Sequence, residues 1–113
     1  MGKNDQRFVR PVKVAALATY VPPRVMTNAD LEKLVNTNDD WIRQRTGVIE
    51  RHVVDPGVGT SALVVPAAQQ AIAQAGLTPD DIDLIVVGTT TPDTVFPSTA
   101  CLIQHKIGAS NAW

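Results

Sequence analysis

Leu84-Ile85-Val86-Val87-Gly88 decides the fold. Five aliphatic and small residues without an interposed charge are the pattern of a parallel strand covered on both faces, not of a strand with one wet side. Just before it, Thr78-Pro79-Asp80-Asp81 combines a cap, a proline in the first turn and an acid three residues on, so a brief helix precedes the strand. Just after it, Thr89 to Thr94 is a polar loop, and a helix is expected from about Pro97 to Lys106. Helix, strand, loop and helix in this order define an α/β chain. In such sheets ligands gather beyond the carboxyl ends of the strands, which makes the loop holding Thr90, Asp93 and Phe96 a positional candidate for site residues. It lacks the glycines and lysine of a phosphate loop, which excludes nucleotide hydrolysis.

Working toward the amino terminus, Ser61 to Ala75 reads as a closely packed helix ending at Gly76. Pro66 removes a backbone donor from its interior, so a kink or a start near Val65 is expected. Val48 to Val54 is strand-like. Thr27-Asn28-Ala29-Asp30 opens a helix through about Val35 with Thr27 as cap, and a second helix follows with Thr37 as cap and Gly47 past its last turn. Val12 to Thr19 is a short apolar run stopped by Pro22-Pro23, hence a strand. Met1 to Phe8 reads as a loose tail, and the division places a flexible segment at 1–10 and the folded part at 11–113. Gly108 to Trp113 looks like a turn entering another strand. A sheet of so few strands leaves apolar surface exposed, as part of something larger would.

The 113 residues, 44% hydrophobic, suffice for one domain burying roughly 65% of its unfolded surface. A net charge of -1 with scattered ions offers no stripe for nucleic acid or anionic lipid. The basic residues before Val14 resemble a secretion signal, but the apolar core is too short, and no stretch approaches the roughly 20 residues of a membrane span. Cys101, the one cysteine, fits a reducing, cytoplasmic setting. Gln6 stands where a myristoylation signal needs Ser or Thr.

Thr37-Asn38-Asp39-Asp40-Trp41-Ile42-Arg43-Gln44-Arg45-Thr46-Gly47 carries the candidate ligand grip. Four residues apart, Trp41 and Arg45 differ in direction by about 40° on a helix and share one face. An indole and a guanidinium can hold a planar base by stacking, with the arginine also able to meet a phosphate. The alternative is a partly buried tryptophan and an arginine paired with a surface carboxylate. Cys101 and His105 could be taken for a nucleophile and base, but a small thiol among Ala100, Leu102 and Ile103 reads as core filling, and two ligands fall short of a zinc site. His52 has no companion. Asp39-Asp40 and Asp80-Asp81 sit in helix first turns, where the dipole accounts for them. Residue chemistry alone thus gives a candidate ligand grip, with the alternative open, and no convincing catalytic centre.

Thr27-Asn28-Ala29-Asp30-Leu31-Glu32, Asp40-Trp41-Ile42, Arg45-Thr46-Gly47-Val48, Arg51-His52, Leu84 to Thr90, and Phe96-Pro97-Ser98 with Cys101 and Ile103-Gln104 closely resemble the opening part of β-ketoacyl-acyl-carrier-protein synthase III. The resemblance runs from about Val12 to Trp113 in order. It implies a thiolase-like layered α/β fold, of which this is the first part of the amino-terminal half with an incomplete sheet, and usually a homodimer. It implies an acyltransferase of fatty acid biosynthesis, in which a cysteine takes an acyl group from acyl-CoA and attacks malonyl-acyl carrier protein with loss of carbon dioxide. It implies no tightly bound cofactor, with acyl-CoA as substrate. In that family the residues matching Trp41 and Arg45 sandwich the CoA adenine and that matching Thr37 lies beside it. Phe96 resembles an aromatic residue sent across the dimer interface to line the partner's acyl pocket, with Thr90 near that pocket; an ordinary core or interface role for Phe96 stays open. The family's catalytic cysteine, histidine and asparagine fall beyond residue 113, so the chain alone is expected to be inactive, and Cys101 matches a non-catalytic position. Pro66 departs from the family pattern. Other acyl-CoA condensing enzymes (hydroxymethylglutaryl-CoA synthase-like, polyketide starter or long-chain ketone) and a non-catalytic subunit or fragment of a split synthase are the competing readings.

Overall fold

The computed structural model describes residues 11–113; the expected flexible tail at 1–10 lies outside them. In chain order the elements are β1 (Val25–Thr27), α1 (Asn28–Glu32), α2 (Asp39–Thr46), β2 (Glu50–His52), α3 (Thr60–Gln74), a 3₁₀ turn (Pro79–Asp81) and α4 (Thr99–Ile107). They form two groups.

The first group is β1, α1, α2 and β2. β1 and β2 pair antiparallel, with Met26 opposite Arg51. Thr27 starts α1 through a reciprocal cap: Asp30 N–H donates to its hydroxyl, and the Asp30 carboxylate accepts from the Thr27 N–H and O–H. The helix stops at Glu32 rather than Val35, because the Glu32 carboxylate turns to accept the Asp39 N–H at 2.7 Å and folds the connection back toward α2. β2 is shorter than the expected Val48 to Val54, its length matched to its three-residue partner.

The second group is α3, α4 and the segment between them. Ile103, Ile107, Ala109 and Ala112 are buried, and Val64, Val65, Ala68, Ile72, Ile82, Ile85 and Val87 pack on them. α3 begins at Thr60, not near Val65, and continues through Pro66. The packed apolar stripe on both sides of the ring outweighs one missing backbone bond. Gly76 and Gly108 follow α3 and α4 with φ of 70° and 77°, the left-handed geometry expected past a helix end.

Two expected strands are not formed. Val12 to Thr19 makes no ladder, and Val12 is 93% exposed, since no described segment lies beside it to accept its backbone groups. Leu84 to Gly88 is likewise outside any assigned strand, with Ile85 and Val87 on the core and Leu84 and Val86 open to solvent. Its parallel character is nonetheless present at one point. Trp113 N–H donates to Asp83 O at 3.2 Å and Ile85 N–H donates to Trp113 O at 3.3 Å, the slanted two-bond link of parallel strands centred on Leu84. The Cα radius of gyration is 20.3 Å; a compact chain of this size has about 13 Å. The two groups therefore lie along an elongated body with one face of the aliphatic segment uncovered.

Candidate functional site

α2 presents the candidate grip. Its amino-terminal cap is Asn38, whose side-chain oxygen accepts the Trp41 N–H at 2.8 Å, while Thr37 stands one residue further out, a correction to the expected capping. Asn38 has the extended backbone (φ -149°, ψ 162°) that aims a short polar side chain back at the first turn. Gly47, at φ 72°, ends the helix. Asp39 and Asp40 occupy the first turn and Arg43 and Arg45 the last, each sign matched to the helix dipole.

Buried Ile42 anchors the inner side of α2, and Trp41 and Arg45 face out. The Arg45 guanidinium carbon lies 5.6 Å from the centre of the indole, and Trp41 is 55% exposed. Side-by-side projection, the expectation from spacing, is what the structure shows. Of the alternative, the half-covered tryptophan is present but the ion pair is not: among the described residues Arg43, not Arg45, bridges to Asp39, at 2.7 Å. This bond, with an amide donor from Asn28, holds the Asp39 carboxyl below the usual carboxylate range. Thr37 and Trp41 line one shallow cleft of about 160 Å³ with Asn36 and Asn38. Thr37 and Arg45 each lie beside Trp41, and Thr90 and Phe96 sit on a different structure, the loop between Leu84–Gly88 and α4.

Residues that sequence reasoning did not single out hold α2 in place. Asn28, only 2% exposed, donates to Asp39 Oδ1 at 2.7 Å and to Val48 O at 2.9 Å, and its oxygen accepts from Arg51 at 2.5 Å. One side chain thereby ties α1, α2, β2 and the turn between them. No residue spacing signals it, since its partners are 11, 20 and 23 positions away.

The loop bearing Thr90 and Phe96 is pinned at its middle. The Asp93 carboxylate accepts the Ser61 N–H at 2.9 Å and the Ser61 O–H at 2.7 Å. These bonds, the hydroxyl first, lower the Asp93 pKa. Thr90 and Phe96 are exposed, Phe96 at 89%. An open hollow of about 330 Å³ lined by Val87, Thr89, Pro92, Thr94, Val95, Ser98, Thr99 and Ala100 lies beside them.

Cys101 is exposed and not core filling, because α4 turns Ile103 and Ile107 inward instead; the Ser98 hydroxyl donates to its sulfur at 3.2 Å. His52 Nδ1 lies 2.6 Å from Pro22 O, so that nitrogen carries the proton and the ring is a structural donor. Among the described residues no three His, Cys, Asp or Glu side chains gather as metal ligands, and no helix is long and apolar enough to cross a membrane.

No family model matches the chain. It is 56% identical over 105 residues, 93% of its length and 32% of the relative's, to β-ketoacyl-[acyl-carrier-protein] synthase III of Koribacter versatilis. Its structure superimposes on 3-oxoacyl-[acyl-carrier-protein] synthase III of Aquifex aeolicus with a TM-score of 0.84 at 40% identity, covering 89% of this chain and 32% of that one. The priming β-ketosynthase of the R1128 polyketide pathway gives the same TM-score at 32% identity over 89% of this chain and 30% of the other. The chain spans about a third of the length of the curated relatives it matches. Fold and matches define a segment of the thiolase-like condensing enzymes. Within that class the chain matches about a third of β-ketoacyl-acyl-carrier-protein synthase III.

Proposed function

We propose that this chain supplies acyl-CoA recognition and part of a dimer surface to an acyltransferase that condenses an acyl group with malonyl-acyl carrier protein in fatty acid synthesis. The observation that carries the reading is the outward Trp41 and Arg45 pair at 5.6 Å. Inserting a base between them needs two stacking separations of about 3.5 Å each, more than the pair now leaves. The guanidinium must therefore move outward, giving up an exposed cation–π contact of about 0.5–1 kcal/mol. Stacking of a base on the indole returns about 1–3 kcal/mol, so opening is favourable, and the displaced guanidinium is placed for the coenzyme's phosphates. Thr37, in the same cleft, contacts the base edge.

Exposed Val95 and Phe96 support an interface role, since a second protomer would cover an apolar pair otherwise in water. Thr90 then borders the acyl pocket. Catalysis belongs to a cysteine, histidine and asparagine outside these residues, no cofactor is tightly bound, and the setting is a reducing cytoplasm, in keeping with one unpaired thiol. Residues 11–113 are then part of a single thiolase-like domain.

In a full-length synthase carrying this sequence, Trp41→Ala raises KM for acyl-CoA about tenfold, in line with the stacking energy, and leaves kcat within about twofold. Steady-state kinetics with acetyl-CoA decide it; an unchanged KM refutes the grip. Radiolabelled acetyl-CoA leaves no acetyl group on Cys101, although that thiol is exposed.

A further inference from the structure

We infer that Asp93 is a positioning residue for the loop that presents Thr90 and Phe96, held by a clasp of Ser61 and Lys106, and that it sets acyl-chain selectivity. The inference rests on the acyl-pocket reading of Thr90 and Phe96 given above.

The clasp joins three elements. Ser61, with no exposed surface, donates its hydroxyl to Asp93 and accepts from Lys106 Nζ of α4 at 2.7 Å. The Asp93 N–H donates to buried Thr99 Oγ1 at 3.2 Å, at the start of α4. Thr60 Oγ1 donates to Thr91 O at 2.5 Å. Apart from the α4 cap at Ser98, the hydrogen bonds that tie this loop to a helix among the described residues fall on residues 91 to 93. Thr90 lies three positions before Asp93 and Phe96 three after it, both exposed, so each hangs on the pinned centre as an arm.

Gly59 is an independent sign that the approach is built in. A Cβ on Gly59 would stand 2.2 Å from Asp93 Oδ1, so the carboxylate reaches the α3 terminus only because that residue has no side chain. Asp93 does the capping that Gly59 cannot, giving α3 a side-chain acceptor from a loop 32 residues away. Ser61 is sealed from substrate by its burial, so the Lys106, Ser61 and Asp93 row orients and does not react.

Asp93→Asn keeps the shape but replaces one acceptor oxygen with a donor, and Gly59→Ala pushes the carboxylate away without altering it. In the full-length synthase, with hexanoyl-CoA and acetyl-CoA compared as primers, both variants shift the ratio of kcat/KM values at least fivefold. Affinity for free CoA, read at the Trp41 grip, stays within twofold. A ratio within twofold of the parent in both variants overturns the inference. Fluorine NMR of 4-fluorophenylalanine at Phe96 gives the readout that does not need activity. If the parent takes no acyl-CoA, the functional reading falls and the selectivity claim with it. The positioning role then stands on a shifted or doubled Phe96 line in both variants and is overturned by an unchanged one.

Discussion

The half of the molecule that carries the ligand grip is stitched by polar groups, and the half that carries α3 and α4 is packed by apolar ones. Among the described residues around Trp41 the only buried aliphatic of a regular element is Ile42, and the fixed points are the Asn28 amide, the Arg51 guanidinium and the Asp39 carboxylate. Around Ile103 the order is reversed: a continuous aliphatic cluster fills the space, and its polar clasp lies at one end. Dispersion packing is non-directional, whereas hydrogen bonds fix orientation. Under the proposed function a flat indole meets a flat base, and such an indole gains from the second kind of anchor. The aliphatic segment at 84–88, which packs Ile85 and Val87 on the cluster, gains from the first.

The strongest way to break the contrast is Ile103→Ala. At 1% exposure it lies at the centre of the cluster, and truncation costs about 2–5 kcal/mol by lost transfer energy and the cavity left behind. Hydrogen exchange by NMR then shows α3 and α4 losing protection and β1 and β2 keeping theirs. Equal loss in both groups would mean that the two form one cooperative unit.

Asn28→Ala is the mirror experiment on the polar half. It leaves the Asp39 carboxylate, the Val48 carbonyl and the Arg51 guanidinium each short of a partner, at about 1–3 kcal/mol. Exchange protection falls in α1, α2 and β2 and holds in α3. Combined with Ile103→Ala the losses add, since the two sites share no partner.

The same contrast explains what the sequence disclosed. The helices were legible because caps and glycines are local: Thr27 with Asp30, Thr78 with Asp81, and Gly47, Gly76 and Gly108 act within a few residues of the ends they mark. The side-by-side pair of Trp41 and Arg45 followed from helical geometry alone. Asn28 and Asp93 were illegible as anchors, because each works through partners more than ten residues off. The strands at 12–19 and 84–88 were read correctly as hydrophobic pattern and wrongly as formed structure, since a strand exists only with a neighbour to receive its backbone bonds. Trp113 supplies such a neighbour at a single residue.

A smaller effect separates two adjacent residues of the grip. Asn38→Ala removes the oxygen that accepts the Trp41 N–H, costs about 1 kcal/mol and frays the turn from which the indole projects. Thr37→Ala changes stability by a few tenths at most, because Thr37 is not the cap, and acts on ligand affinity instead. Denaturation midpoints and CoA titration of the two variants give opposite orders; a larger loss of stability in Thr37→Ala than in Asn38→Ala would restore Thr37 as the cap.

The smallest expected effect is an acid-side one in the polar half. The Thr27 hydroxyl, then Lys33 and the Thr27 N–H, hold the Asp30 pKa at about 2 against an ordinary 3.8. The folded form therefore binds this proton less readily than the unfolded chain, and the stabilisation is complete above pH 3.8. It declines as the pH falls and is gone once the pH has passed through about 2. Asp30 and Lys33 are both largely in solvent, which keeps the gain small and weakens it further in salt. Asp30→Asn removes the titration, so the stability difference between parent and variant, measured by denaturation at low ionic strength from pH 6 down to pH 2, is constant above about pH 4 and shrinks below it. Asp39, Asp81 and Asp93 are also lowered and keep titrating in both proteins, so only the difference isolates the α1 cap. A difference that grows toward pH 2 would show that Asp30 is better bonded when protonated, and that the cap at Thr27 does not depend on charge.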